Sequence, residues 1–163
     1  MSLEQAILTE LKKCGIRWLA WLPDSETIAM YEAVMNDPDI QFVQVCRENE
    51  AFGVCHGLQL GGERAAVMVQ NTGLMNGVDA LRGICLRMKQ PMLLLVGYRG
   101  YRFKLENPAY EDNAPTFTEP LLQAFNVPCH LVQTQEDVEK ISQAYEQAQQ
   151  MSGPIAVLIT QEE

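Results

Sequence analysis

Short apolar runs alternate with stretches of helical period along the whole chain, and that alternation limits the fold more than any single motif. The runs cover residues 18–22, 42–45, 65–69, 92–96, 127–132 and 155–159, the fourth being the most apolar. Between them, Leu3, Ile7, Leu8, Leu11 and Cys14 outline a helix stopped at Gly15. Pro23-Asp24-Ser25 makes a turn, and Ser25 is placed to cap a helix carrying Ile28, Tyr31 and Met35. Ala51, Val54, Cys55 and Leu58 recur at helical spacing in a third helix, entered at Glu48 and closed at Gly61-Gly62. Gln70-Asn71-Thr72-Gly73 breaks the third run, and Leu74, Val78, Leu81, Cys85 and Met88 then share one face of a fourth helix. A short helix is expected around 119–125. A last one runs from Thr134 to about Gln150, with Val138, Ile141, Tyr145 and Ala148 buried and Thr134 and Asp137 spaced as a capping box.

Helices placed between short buried strands supply the crossovers that parallel strands need. The expectation is therefore a doubly wound α/β fold: about six parallel strands, helices on both faces, one domain over residues 1–163. One stretch escapes the pattern. Residues 97–115 show no period and hold Arg99, Arg102, Lys104 and two prolines. An irregular segment of that length is often functional, although a plain surface excursion is the alternative.

Composition removes several function classes. The net charge of −9 argues against a nucleic-acid backbone as partner. No apolar run approaches the ~20 residues of a membrane span. The opening Met-Ser-Leu-Glu-Gln lacks the basic and apolar regions of a signal peptide, so a cytoplasmic protein is expected. Five cysteines, with no C-x-x-C, read as reduced thiols, and the only histidines, His56 and His130, have no metal-ligand spacing. No protein metal site is expected.

Three strand ends carry polar or turn-forming groups: Pro23-Asp24-Ser25, Glu48, and Gln70-Asn71-Thr72-Gly73 with Asn76. In an open α/β sheet such ends can converge on one crevice. Glu48 alone has two readings, an acid complementing the helix dipole or a functional carboxylate. No G-x-G-x-x-G follows the first strand and no G-x-x-x-x-G-K-[ST] occurs, so the common phosphate cradles are missing. A G-x-S-x-G elbow is absent as well, and Cys55 has only its helix neighbour His56 as a base, which adjacent helical positions keep apart.

Taken together, the strand ends resemble a known family. A strand running into Glu48, with Ala51 three and Gly57 nine residues on, is similar to the pyrimidine-binding domain of thiamine diphosphate-dependent 2-oxo-acid decarboxylases. Met68-Val69-Gln70-Asn71-Thr72-Gly73-Leu74-Met75-Asn76 and Pro91-Met92-Leu93-Leu94-Leu95-Val96-Gly97-Tyr98-Arg99-Gly100 resemble two blocks of the phosphonopyruvate and sulfopyruvate decarboxylases, in the same order. Pro23-Asp24-Ser25 takes the place of their P-G-S or P-G-D turn.

The resemblance implies that Glu48 is catalytic and contacts the thiamine pyrimidine, with Pro23, Thr72, Gly73 and Asn76 as further cofactor-binding positions. Such a carboxylate works best when shielded from water, where it can share a proton with the ring nitrogen. Glu50, lacking the Ala and Gly at those spacings, is left as a helix-start acid. Ser25, Gln70 and Asn71 are candidates for the substrate carboxylate. Arg99, with Arg102 and Lys104, is a candidate for a sulfonate or phosphonate, the alternative being surface charge. His56 and His130 are read as structural.

No Gly-Asp-Gly of the diphosphate-binding domain is present. The chain therefore resembles the α subunit of a split decarboxylase. The resemblance implies a β subunit holding diphosphate and Mg2+, a small 2-oxo acid as substrate, an α2β2 or larger assembly, and no activity alone. A non-catalytic α/β binding or regulatory subunit is the alternative, and a flavodoxin-like module the third.

Overall fold

In the computed structural model, residues 1–107, 109 and 113–160 are described, Asn113 by its backbone alone. Six strands form one all-parallel sheet: β1 (Trp18–Trp21), β2 (Gln41–Gln44), β3 (Ala65–Gln70), β4 (Met92–Gly97), β5 (Cys129–Val132) and β6 (Pro154–Ile159). Their spatial order is β2-β1-β3-β4-β6-β5. The chain moves outward from β1 to β2 and then returns to β1's other side for β3. The crevice where the order reverses thus lies between β1 and β3.

Alternation along the strands sorts the core into two layers. Leu19, Trp21, Ala66, Met68, Leu93, Leu95, Ile155 and Val157 face α1 (Leu3–Lys13), α2 (Ile28–Met35) and α8 (Glu139–Met151). Ala20, Val67, Val69, Leu94, Val96 and Leu158 face α3 (Glu48–Leu60), α4 (Asn71–Asn76), the π-helical turn Leu81–Leu86 and α7 (Asn113–Ala124). Both faces are covered, as the near-continuous apolar strands require. No described helix is long and apolar enough to cross a membrane.

Four local expectations are corrected. Ser25 does not cap α2. Asp24 Oδ1 accepts from the Glu26 and Thr27 N–H groups at 2.8 and 3.1 Å, and the helix starts only at Ile28. The buried face of α2 is Met30 and Val34, while Ile28 and Met35 are exposed. The fourth helix is continuous neither in hydrogen bonding nor in face. β3 runs directly into α4 at Asn71, α5 (Val78–Ala80) follows, and then Leu81–Leu86 turns as a π-helix. A π-turn inserts an extra residue into the helical repeat. Leu81 and Cys85 stay buried, but Met88 is rotated out to solvent.

The aperiodic segment also contains structure. α6 (Tyr101–Glu106) lies within it, and α7 begins at Asn113, six residues before the helix expected at Glu119. Pro115 and Pro120 hid the α7 pattern, because proline is a strong helix-break signal in sequence. Two polar latches fasten α7 to the sheet. Asn71 Nδ2 donates to Thr118 Oγ1 at 3.1 Å, and Tyr98 O–H donates to Glu119 Oε1 at 2.8 Å. Residues 108 and 110–112 of the aperiodic stretch, and 161–163 of the polar tail, lie outside the described residues.

Candidate active site

β2 ends at Gln44, and after three intervening residues the chain enters α3 with two acids in its first turn, Glu48 and Glu50. The two acids make different bonds. Glu50 Oε2 folds back to accept from the Cys46 and Arg47 N–H groups at 2.9 and 3.0 Å, satisfying donors just ahead of the helix. Glu48 turns away from its own backbone toward α4, where Asn76 Nδ2 donates to Glu48 Oε2 at 2.7 Å. Among the described residues, that bond leaves Oε1 without a hydrogen-bond partner.

The approach of α3 to α4 depends on two glycines. A Cβ at Gly73 would stand 2.5 Å from Glu48 Cγ, and one at Gly77 would stand 2.5 Å from Phe52 Cε2. Both distances are too short for any side chain, so glycine at these positions lets the helices meet. Gly73 is therefore the seat of the Glu48 side chain. Glu48 itself remains partly exposed, and Asn76 and Thr72 are exposed.

Beside this pair, at the end of β1, lies a closed network. Trp21 Nε1–H donates to Thr27 Oγ1 at 3.0 Å, and Thr27 Oγ1–H donates to Asp24 Oδ2 at 3.0 Å. Asp24 Oδ1 accepts from Gln70 Nε2 at 3.2 Å, and Gln70 Oε1 accepts from Thr72 Oγ1–H at 2.6 Å. Asp24, in the place of a smaller residue in the resembling motifs, thus ties the β1 turn to the end of β3. It also fixes which way the Gln70 amide faces.

Of the residues singled out in sequence, Glu48, Gln70, Thr72, Gly73 and Asn76 come together at one edge, with Pro23 and Ser25 on the neighbouring turn. Asn71 differs from these residues in its burial. It is fully buried: Nδ2 donates to Arg99 O and Thr118 Oγ1, and Oδ1 accepts from Thr72 N–H. An amide with its donors and acceptor so engaged braces the β4 turn and α7. Arg99 is exposed beside Glu26. Burial and the Asp24 charge raise the Glu26 carboxyl above its usual range, and the Arg99 charge offsets part of that rise. Lys104 Nζ donates to Pro115 O at 3.4 Å.

The roles of Asp24 as a tie and Asn71 as a brace were missed in sequence. Asp two residues ahead of a backbone N–H is a turn signal that could have found the first. Nothing local signals the second. Thiol chemistry is disfavoured by burial, which pushes Cys14 up to about 11 and Cys85 up to about 12. All five cysteines are free, Cys46 and Cys129 being exposed. His130 Nε2 lies 3.1 Å from Gln147 Oε1. Among the described residues, no group of three His, Cys, Asp or Glu could hold a metal ion.

A carboxylate at the end of β2, propped by an amide over a glycine, is the geometry in which comparison with known proteins becomes informative. Residues 1–116 match the family model described as the thiamine pyrophosphate enzyme, N-terminal TPP binding domain. The chain belongs to that family. Over 160 residues it is 28% identical to the sulfopyruvate decarboxylase subunit alpha of Methanococcus maripaludis, covering 98% of this chain and 95% of that one. The subunit alpha of Methanocaldococcus jannaschii is 29% identical over 154 residues, 94% of this chain and 90% of that one. The phosphonopyruvate decarboxylase of Streptomyces viridochromogenes is 26% identical over 104 residues, 64% of this chain and 26% of the other.

Among solved structures, a putative thiamin diphosphate-dependent enzyme from Mycobacterium smegmatis superposes with a TM-score of 0.73 at 20% identity, over 98% of this chain. That likeness shows the fold. The chain spans 30% of that longer chain, whereas it spans nearly the full length of the two methanogen subunits.

The site's residues fit a thiamine pyrimidine. Glu48 offers an oxygen with no described partner, Asn76 holds the other, and Gly73 keeps the space between them clear of a Cβ.

Proposed function

We propose that this chain is the α subunit of a two-chain thiamine diphosphate-dependent decarboxylase, which converts a small 2-oxo acid of the sulfopyruvate or phosphonopyruvate kind to an aldehyde and CO2. One observation carries the reading: Glu48, at the start of α3, is held 2.7 Å from Asn76 over a glycine at which a Cβ would stand 2.5 Å from Glu48 Cγ. The near full-length likeness to two subunits named alpha supports a separate partner chain. That β subunit would supply the diphosphate and Mg2+ site, in an α2β2 or larger assembly.

When bound, thiamine diphosphate supplies a nucleophilic carbon and a sink for the electrons released with CO2. Glu48 would share its carboxyl proton with N1′ of the aminopyrimidine, which would favour the imino form of the 4′-nitrogen and let that nitrogen serve as a base. Asn76 would keep the carboxylate pointed at the ring, and Pro23, Thr72 and Gly73 would help to hold it. Gln70, oriented by Asp24 and Thr72, and Ser25 on the neighbouring turn meet the substrate carboxylate, with Arg99 at the outer edge. Because Glu48 is only partly shielded within this chain, the partner has a chemical part to play. By closing over the carboxylate it excludes water and strengthens the bond to the ring.

The deciding experiment is Glu48→Gln in the co-expressed two-chain complex. Glutamine keeps the shape but has no carboxyl proton to share, so turnover should fall by about 10²-fold or more while the chains still assemble. Near-normal turnover would instead favour a non-catalytic binding or regulatory subunit.

A further inference from the structure

A cavity of about 140 Å³ opens beyond the ends of β4 and β6, walled by Glu26, Tyr98, Tyr101, Arg102 and Thr160 among others. Thr160 is one residue past β6 and 2% exposed. Its N–H is spent on Val132 O at 3.1 Å, yet its buried hydroxyl has no hydrogen-bond partner among the described residues. His56 Nδ1 is the one other buried side-chain atom among them in that condition. A buried hydroxyl left unpaired is costly, and a water, an ion or a bound polar group relieves that cost.

The surroundings define that partner. Although the chain is acidic overall, a cation, Arg102, stands in the wall of this cavity. The volume is well below the ~300–1,000 Å³ of sites for drug-sized ligands. It suits a group of a few heavy atoms. Burial and the Asp24 charge raise the Glu26 carboxyl above its usual range. Glu26 and Asp24 flank Ser25 in sequence, and Asp24 bonds Gln70, so the cavity adjoins the edge described above.

We propose that this cavity receives the oxyanion tail of a small 2-oxo acid, with the Thr160 hydroxyl donating to one tail oxygen and Arg102 facing another. The assignment rests on the decarboxylase reading and names the substrate class within it. Thr160 becomes a specificity residue, set two strands away from Gln70.

The test is the pair Thr160→Val and Thr160→Ser in the two-chain complex. Valine removes only the hydroxyl and should raise KM for sulfopyruvate about tenfold or more, as the loss of a bond to a charged group does. Pyruvate, which has no tail anion, should show a much smaller change, and serine should restore the sulfopyruvate KM. An unchanged sulfopyruvate KM in Thr160→Val, or turnover of pyruvate but not sulfopyruvate, overturns the assignment and leaves the decarboxylase reading standing. If the unaltered complex consumes no 2-oxo acid, that reading is what fails. The cavity is then judged by calorimetric titration of the full chain with sulfopyruvate. Saturable heat lost in Thr160→Val supports the assignment; heat that survives the substitution, or no heat at all, overturns it.

Discussion

Two polar clusters sit side by side at the carboxyl edge of the sheet, and they are finished to different degrees. Around Asp24, both carboxylate oxygens, the Trp21 indole, the Thr27 hydroxyl and the Gln70 amide are all paired with one another. Around Glu48 there is one bond, to Asn76, and the carboxylate is partly open to solvent. A closed network spends its groups on rigidity, since each satisfied partner resists rotation of the others. An open pair keeps a group in reserve. The difference separates groups fixed by their neighbours from the one carboxylate proposed to share a proton.

The comparison breaks most completely at Gly73. Alanine there would place a carbon 2.5 Å from Glu48 Cγ, so the carboxylate must move. Displacing a catalytic group by about 1 Å can cost about 10²-fold, and turnover of the two-chain complex under single-turnover conditions measures it. Asp24→Ala should disturb the closed cluster instead. Losing the bonds at the start of α2 should cost about 1–2 kcal/mol of stability, read by urea unfolding of the chain, and should raise KM as Gln70 comes loose. Asn76→Ala loosens the open pair without moving the backbone. A drop in kcat of about tenfold is expected, the worth of one charge-assisted bond. Glu50→Ala should be mildest: about 0.5–1 kcal/mol of stability from the lost helix-start bonds, with kcat held. If Glu50→Ala lowered kcat as much as Asn76→Ala, the division of labour between the two acids would be wrong.

Most of the architecture was legible because strand burial on both faces leaves no room for ambiguity in runs such as Met92–Gly97. Boundaries failed where the cause was not local. α7 was cut short by Pro115 and Pro120, yet its register is held by Thr118 and Glu119 reaching the distant Asn71 and Tyr98. Met88 was misplaced because a π-turn carries no composition signal. At the site, spacing separated Glu48 from Glu50 but could not show that Asn71 points inward, since that depends on where α7 lands. Thr160 could not be found in sequence at all, because its orphaned hydroxyl is a property of packing.

Gly73 and Gly77 lie one helical turn apart, and each admits a side chain of α3, Glu48 in one case and Phe52 in the other. The same helix-to-helix contact therefore carries a core aromatic and the proposed proton-sharing acid. Repacking around Phe52 would be felt at Glu48 one turn away, so stability and chemistry in this protein cannot drift independently. A laboratory selection for heat resistance that filled this seam would lose activity, whereas one confined to α1 and α8 would leave it alone.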